Sequence, residues 1–208
     1  MIAPERLLSS VERYYTAKLA EHGPRPAGAD WSSESSQMLR FEKLLEVVNG
    51  QSSFTLNDYG CGYGALLPFV RERHPEAQYA GFDISEPMIS AARGLHSEAS
   101  GVRFLTDESQ MEPADFTVAS GIFNVKLETA DEEWEEYVSA TIDRIAALSL
   151  KGFAFNMLTS YSDHDRRRPH LYYANPAHWF DVCKRRHSRY VALLHDYPLW
   201  EFTLIIRR

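Results

Sequence analysis

The sequence predicts an α/β fold, with a doubly wound, mostly parallel sheet of seven strands, an antiparallel last strand and an N-terminal helical cap. Three observations predict it. From residue 54 onward, short apolar runs alternate with amphipathic runs of helical period, as when crossover helices join parallel strands and cover both faces. The first apolar run ends in an acid followed by glycines at alternate positions, Asp58-Tyr59-Gly60-Cys61-Gly62-Tyr63-Gly64. The chain closes on two apolar runs joined only by Asp196-Tyr197-Pro198-Leu199. A connection that short makes the two strands antiparallel to each other.

Each element follows from local chemistry. Glu5 to Glu21 carries Leu7, Leu8, Val11, Tyr14, Tyr15 and Leu19 at helical spacing. The glycines and prolines between His22 and Gly28 end that helix. Ser32 or Ser33 caps a second helix, which runs to Asn49 and stops at Gly50. Both helices precede the first strand, so residues 1–50 read as a lid-like cap and residues 51–208 as one compact unit. Phe54 to Tyr59 is the first strand, and the helix after it starts near Ala65, with Pro68 in its first turn. Gln78 to Asp83 is the second strand, and Ser85 caps the following helix, with Glu86 and Pro87 in its opening turn. Val102 to Leu105 and Phe116 to Ser120 are strands three and four. A long helix from Asp131 to Leu148 leads to strand five, Gly152 to Leu158. Pro176 to Arg185 is helical, and Tyr190 to His195 and Glu201 to Ile206 are the closing strands.

Composition narrows the class. The chain has 208 residues, enough for one domain with a sizeable core. Its formal net charge of −7 argues against a nucleic-acid partner gripped through its phosphates. Two cysteines, Cys61 and Cys183, make no disulfide framework and suit a reducing compartment. No apolar run approaches the ~20 residues that span a bilayer, and the N-terminus has no basic-then-apolar leader. A cytoplasmic enzyme without a membrane partner is expected.

The glycine run carries the most chemistry. Gly60, Gly62 and Gly64 let the backbone turn tightly and approach a ligand, since no Cβ intervenes. A second strand tip, Tyr79-Ala80-Gly81-Phe82-Asp83, places an acid roughly 20 residues after the loop, where it can bind ribose hydroxyls. The loop also satisfies the loose dinucleotide pattern, as Gly60-x-Gly62-x-x-Ala65. A nicotinamide dinucleotide would need a second mononucleotide half or a catalytic domain, for which the chain has little room.

The glycine loop, its two flanking acids and the strand order resemble the class I S-adenosylmethionine (SAM)-dependent methyltransferases over about residues 54–208. The resemblance implies a Rossmann-like sheet with a reversed last strand, SAM as cofactor, and a set of site residues. Gly60, Gly62 and Gly64 would pass under the methionine moiety, with Cys61 a small filler in the loop. Asp58 would accept from the ammonium, directly or through water. Asp83 would hold the ribose, and Ile84 and Met88 would pack on the adenine or simply fill the core. By match, Asp107 would bond the adenine amino group, with Glu108 the neighbouring candidate. Ser120 and Gly121 would turn backbone carbonyls to the ammonium. In the cap, Trp31 would close over the cofactor and Arg40 would bind its carboxylate.

Methyl transfer chiefly needs alignment of the acceptor, and a hydroxyl acceptor also needs a base. Candidates lie at the carboxyl ends of strands. Asn124 can orient an acceptor or serve as a turn residue. The Tyr161 ring can face a sulfonium or pack in its loop. His195, followed by Asp196, is the candidate base, or else part of a solvated turn. The histidines, aspartates and arginines of Ser162 to His170 match no metal-ligand set, so no metal is expected and the loop reads as solvated. The acids from Asp131 to Glu136 suit a helix start.

The expected activity is methyl transfer to a small molecule: an amino acid, sugar or secondary metabolite. Two alternatives stand beside it. One is a SAM-using cyclase that forms azetidine-2-carboxylate and methylthioadenosine, with Asn124, Tyr161 and Ser188 shaping its pocket. The other is a non-catalytic SAM-binding module.

Overall fold

The computed structural model describes residues 4–208. In chain order the elements are α1 (Pro4–His22), α2 (Glu34–Leu45), β1 (Thr55–Tyr59), α3 (Leu66–Arg73), β2 (Gln78–Phe82), α4 (Glu86–Leu95), β3 (Val102–Leu105), β4 (Ala114–Ala119), α5 (Asp131–Ala147), β5 (Ser149–Leu158), α6 (Pro176–Arg186), β6 (Tyr190–Leu194) and β7 (Glu201–Arg207). The strands form one seven-stranded sheet in the order β3-β2-β1-β4-β5-β7-β6. β1 pairs in parallel with both β2 and β4, which are its neighbours on opposite sides. The chain thus winds outward from β1 in one direction and then in the other. β7 lies antiparallel between β5 and β6, as the short closing connection requires.

Helix boundaries follow side-chain caps. Ser33 Oγ accepts from Ser36 N–H at 3.2 Å to open α2. Ser85 Oγ accepts from Met88 N–H at 3.4 Å to open α4, and Pro87 sits where no helical N–H is needed. Asn175 Oδ1 accepts from Ala177 N–H at 3.0 Å and opens α6. α2 stops at Leu45, earlier than its sequence suggests. Its last turn tightens into a 3-10 helix, Glu46–Val48, before Asn49 takes a left-handed φ of 52°.

Two cores sandwich the sheet. On one face, Phe41 and Leu44 of α2, Leu66 and Val70 of α3 and Ile89 of α4 pack against Leu56, Val118 and Ile205. On the other, Trp134, Val138 and Ile142 of α5, with Trp179 of α6, pack against Phe153, Phe155 and Phe202. Each fully buried large apolar side chain contributes about 1.5–3 kcal/mol relative to an exposed one. Trp134 also donates its indole N–H to Phe123 O at 2.9 Å, which ties α5 to the segment after β4.

The two N-terminal helices therefore do different things. α2 is a layer of the sheet sandwich. α1 runs across the carboxyl ends of the strands, with Leu8, Val11, Glu12 and Tyr15 facing a cavity there. Its position is held by a 2.9 Å hydrogen bond between Thr16 and Ser85 hydroxyls and by Asp30, which takes Tyr14 OH at 2.7 Å and Lys18 Nζ at 2.8 Å.

Candidate active site

A cavity of about 340 Å³ opens at the carboxyl ends of β1, β2 and β4, where the winding reverses. Open α/β sheets bind ligands at such a switch point. Its floor is the turn after β1. Gly60, Gly62 and Gly64 have φ of 81°, 54° and 79°, a region that side chains with a Cβ avoid. A Cβ at Gly60 would lie 2.2 Å from Ile122 Cγ2, so the turn also packs too closely for any larger residue. Gly60 and Cys61 N–H both donate to Phe82 O, at 2.7 and 2.9 Å, clipping the turn to the end of β2.

Three acidic positions surround that floor. Asp58, 2% exposed, accepts from the Tyr79 hydroxyl. Burial pushes its carboxyl up to about 7, against the pull of that hydrogen bond, and nearby Asp83 adds to the rise. Asp83 caps the floor electrostatically: Oδ2 accepts from Gly62 N–H and Oδ1 from Ser85 N–H, both at 2.9 Å. Desolvation raises its carboxyl, and these backbone donors oppose the rise. Each carboxylate oxygen keeps a second lone pair for a ligand hydroxyl. Asp107 closes the short turn after β3, with Oδ1 accepting from Ser109 N–H at 2.9 Å and Ser109 Oγ at 2.7 Å. These bonds hold its carboxyl below the usual range. Glu108 takes Tyr59 OH at 2.8 Å and lies 3.2 Å from Arg144.

Opposite the acids is the segment after β4. Gly121 turns with φ 75°, and a Cβ there would meet the Trp31 ring at 2.3 Å. Its N–H donates to Asn156 Oδ1 at 2.7 Å. Trp31 stacks on the Arg40 guanidinium, 4.2 Å from ring centroid to Cζ. Arg40, 7% exposed, makes an ion pair with Glu201, which is 1% exposed. Its Nε and Nη1 are buried without a hydrogen-bond partner, and so is Ser120 Oγ. Buried polar groups are satisfied almost everywhere in proteins, so the orphaned Ser120 Oγ on the cavity wall is a candidate ligand contact, while the Arg40 nitrogens lie behind Trp31. A ligand end bearing an ammonium would answer Ser120 and Asp58 together.

Of the residues singled out in the sequence, Trp31, Asp58, Gly60, Cys61, Gly62, Asp83, Ile84, Met88, Asp107, Glu108, Ser120 and Gly121 line this one cavity. Arg40 lies one layer behind its wall, beneath Trp31. Gly64 supports the turn from below, against the stacked rings of His96 and Phe104. Three candidates for catalysis are elsewhere. Asn124 is buried, and its Oδ1 accepts from Leu158 N–H at 3.1 Å, splicing β5 to the segment after β4. Tyr161 is 69% exposed and packs against the exposed His195, ring centroids 5.8 Å apart, towards the far side of the sheet. They sit at carboxyl ends of strands, as expected, Asn124 after β4, Tyr161 after β5 and His195 after β6, but none of them lines the cavity. Thr106, Gln37 and Tyr137 also line the cavity without a sequence signal of their own, together with Tyr63 of the glycine loop and Tyr15 of α1. Tyr15 belonged to a helical apolar stripe that reads as core. Tyr79 and Glu201 left a usable signal: a hydroxyl or an acid inside an apolar strand needs a buried partner.

A doubly wound sheet with a reversed seventh strand, a glycine floor and acids at successive strand tips defines a SAM-binding methyltransferase framework. The family described as "Methyltransferase domain" matches residues 57–148. The Mycobacterium tuberculosis protein named "Putative methyltransferase Rv1506c" is 46% identical over 164 residues, covering 79% of this chain and 99% of that protein. The chain belongs to the class I SAM-dependent methyltransferases. Solved structures share the fold. Burkholderia thailandensis 1,6-didemethyltoxoflavin-N1-methyltransferase, with its acceptor and S-adenosylhomocysteine bound, matches at TM-score 0.69 and 16% identity, covering 100% of this chain and 91% of its own. Magnesium protoporphyrin IX methyltransferase of Synechocystis PCC 6803, with SAM bound, matches at TM-score 0.67 and 17% identity, with 96% of each chain covered. The cofactor is SAM. Among the described residues, no helix is long and apolar enough to cross a membrane.

Proposed function

We propose that this methyltransferase acts on a small molecule held between the glycine turn and α1. One observation carries the reading: the cofactor-side residues and the apolar face of α1 line the same cavity, so the acceptor must fit beneath that helix. Leu8, Val11 and Tyr15 wall it from α1, Ile122 from the segment after β4 and Tyr137 from α5. The formal charge of −7 supports a small acceptor over a polyanion. The Burkholderia structure, which holds 1,6-didemethyltoxoflavin beside S-adenosylhomocysteine, is consistent with an acceptor of that size in this fold. The free, buried cysteines suit a cytoplasmic setting.

Bound SAM supplies a methyl group on a sulfonium with a neutral leaving thioether. The chain's own groups bind and orient. Asp83 takes the ribose hydroxyls while Gly62 and Ser85 N–H hold its carboxylate still. Asp58 takes the ammonium, aided by Ser120 and Gly121. Arg40, behind Trp31, supplies the positive charge for the carboxylate. Ile84 and Met88 pack the adenine, and Asp107 or Glu108 bonds its amino group. α1 excludes water from the transfer axis, and the wall it forms sets the acceptor's approach.

The test is product analysis. Purified protein with SAM and a library of small amines and hydroxyl compounds should release S-adenosylhomocysteine with at least one of them, and nothing with SAM alone. Methylthioadenosine from SAM alone would establish the cyclase. Tight SAM binding without turnover on any acceptor, protein or nucleic acid would leave a binding module.

A further inference from the structure

The cofactor-side contacts leave a buried polar pair unexplained. Glu201 opens β7, a strand whose residues from Glu201 to Ile206 are all buried. A carboxylate taken fully out of water costs several kcal/mol unless paired and hydrogen-bonded. Here Oε1 forms the ion pair with Arg40 without a hydrogen bond, and Oε2 accepts from Asn156 Nδ2 at 2.8 Å. Asn156, itself fully buried on β5, spends its other end on the cavity, where Oδ1 receives Gly121 N–H at 2.7 Å. The amide orientation is self-consistent, since the carboxylate can only accept and the peptide N–H can only donate.

The pair therefore has two outputs. Through Arg40 it reaches Trp31, whose ring touches the space over Gly121. Through Asn156 it reaches the Gly121 peptide itself. Both outputs end at the cavity wall formed by Trp31, Ser120 and Gly121, with Arg40 directly behind it. Neither touches Asp83, Ile84, Met88 or Asp107, which sit at the nucleoside side of the cavity. We infer that Glu201 and Asn156 are positioning residues for the methionine arm of SAM: they hold Arg40 and the Ser120-Gly121 backbone in the geometry that receives the carboxylate and ammonium, and leave nucleoside recognition to other groups. This rests on the proposed cofactor roles and adds residues to which no function was assigned. Glu201 also imposes specificity of arrangement, because Arg40 without it would be a buried charge without a counter-ion.

The experiment compares two ligands by calorimetry. S-adenosylhomocysteine has the methionine-derived arm; methylthioadenosine has the same nucleoside and lacks the amino-acid group. Glu201→Gln and Asn156→Ala should each weaken S-adenosylhomocysteine roughly tenfold or more while methylthioadenosine stays within about twofold, because Arg40 and the Ser120-Gly121 backbone, once displaced, lose their hydrogen bonds to the charged groups of the arm. A purely structural role would loosen both ligands by the same factor, and that result, or unchanged binding of both, overturns the inference. Should Glu201→Gln not fold, Asn156→Ala, which leaves the Arg40–Glu201 ion pair in place, carries the test. The same split between ligands is expected of it. If the unaltered protein binds neither ligand, the cofactor assignment itself fails, which is a different result from equal loss in the variants.

Discussion

Asp58 concentrates the residue-scale physics of the site. Its carboxyl is raised to about 7 by burial, well above the ~3.9 of an exposed aspartate. The folded chain thus holds this proton more tightly than the unfolded chain. Between pH about 4 and about 7 the unfolded state releases the proton first, so Asp58 makes stability fall as pH rises through that window. Below the window both states are protonated and the cost vanishes. An ammonium bound against Asp58 favours the ionised form and reverses the sign for binding. Affinity for S-adenosylhomocysteine should therefore rise from pH 5 to about 7, by at most roughly tenfold per pH unit from this one proton. Asp58→Asn should bind more weakly at pH 7 and show a shallower slope, measured by calorimetry across that range. Burial also raises the Asp83 carboxyl, against its two backbone donors. Asp83→Ala should weaken binding of the same ligand by about 1.5–3 kcal/mol, the worth of hydrogen bonds to a charged acceptor.

At the scale of elements, one hydroxyl connects helix capping to the roof of the site. Ser85 is fully buried, caps α4 through Met88 N–H and shares a hydrogen with Thr16 of α1. Ser85→Ala removes the cap, worth about 1 kcal/mol. It also leaves the Thr16 hydroxyl without this partner. Thermal unfolding should show a drop of at least ~2–4 °C for a domain of this size. Loss of the α1 anchor should also weaken ligand binding, whereas Asn175→Ala, which uncaps α6, a helix with no residue on the cavity, should lower stability alone. Equal effects of both variants on binding would separate α1 from the site.

For the whole molecule, cavity and sheet are one object: the floor, acids and anchors come from β1, β2, β4, β5, β7, α1 and α2. A ligand that binds only the assembled fold stabilises all of it. S-adenosylhomocysteine at a hundred times its Kd should add about 2.7 kcal/mol. That should raise the unfolding midpoint by roughly 5–10 °C for this chain length. A nicotinamide dinucleotide should leave the midpoint unchanged.

The sheet and the glycine-turn side of the cavity could be read from the chain in one dimension. Strand periodicity, helix caps such as Ser33 and Ser85, and the sequence-adjacent Gly60, Gly62 and Asp58 are local signals, and local signals survive in one dimension. Asp83 was legible because a crossover helix fixes its separation from the glycines. Which distant residues complete the site emerged from three-dimensional packing. It alone brought Glu201 to Arg40 across 161 residues' separation in sequence (positions 40 and 201), set α1 and α2 to different tasks, and left His195 and Tyr161 on the far side of β5. Strand ends look alike in a sequence; their order in the sheet, which hydrophobic packing and the reversed β7 impose, selects those that meet at the cavity.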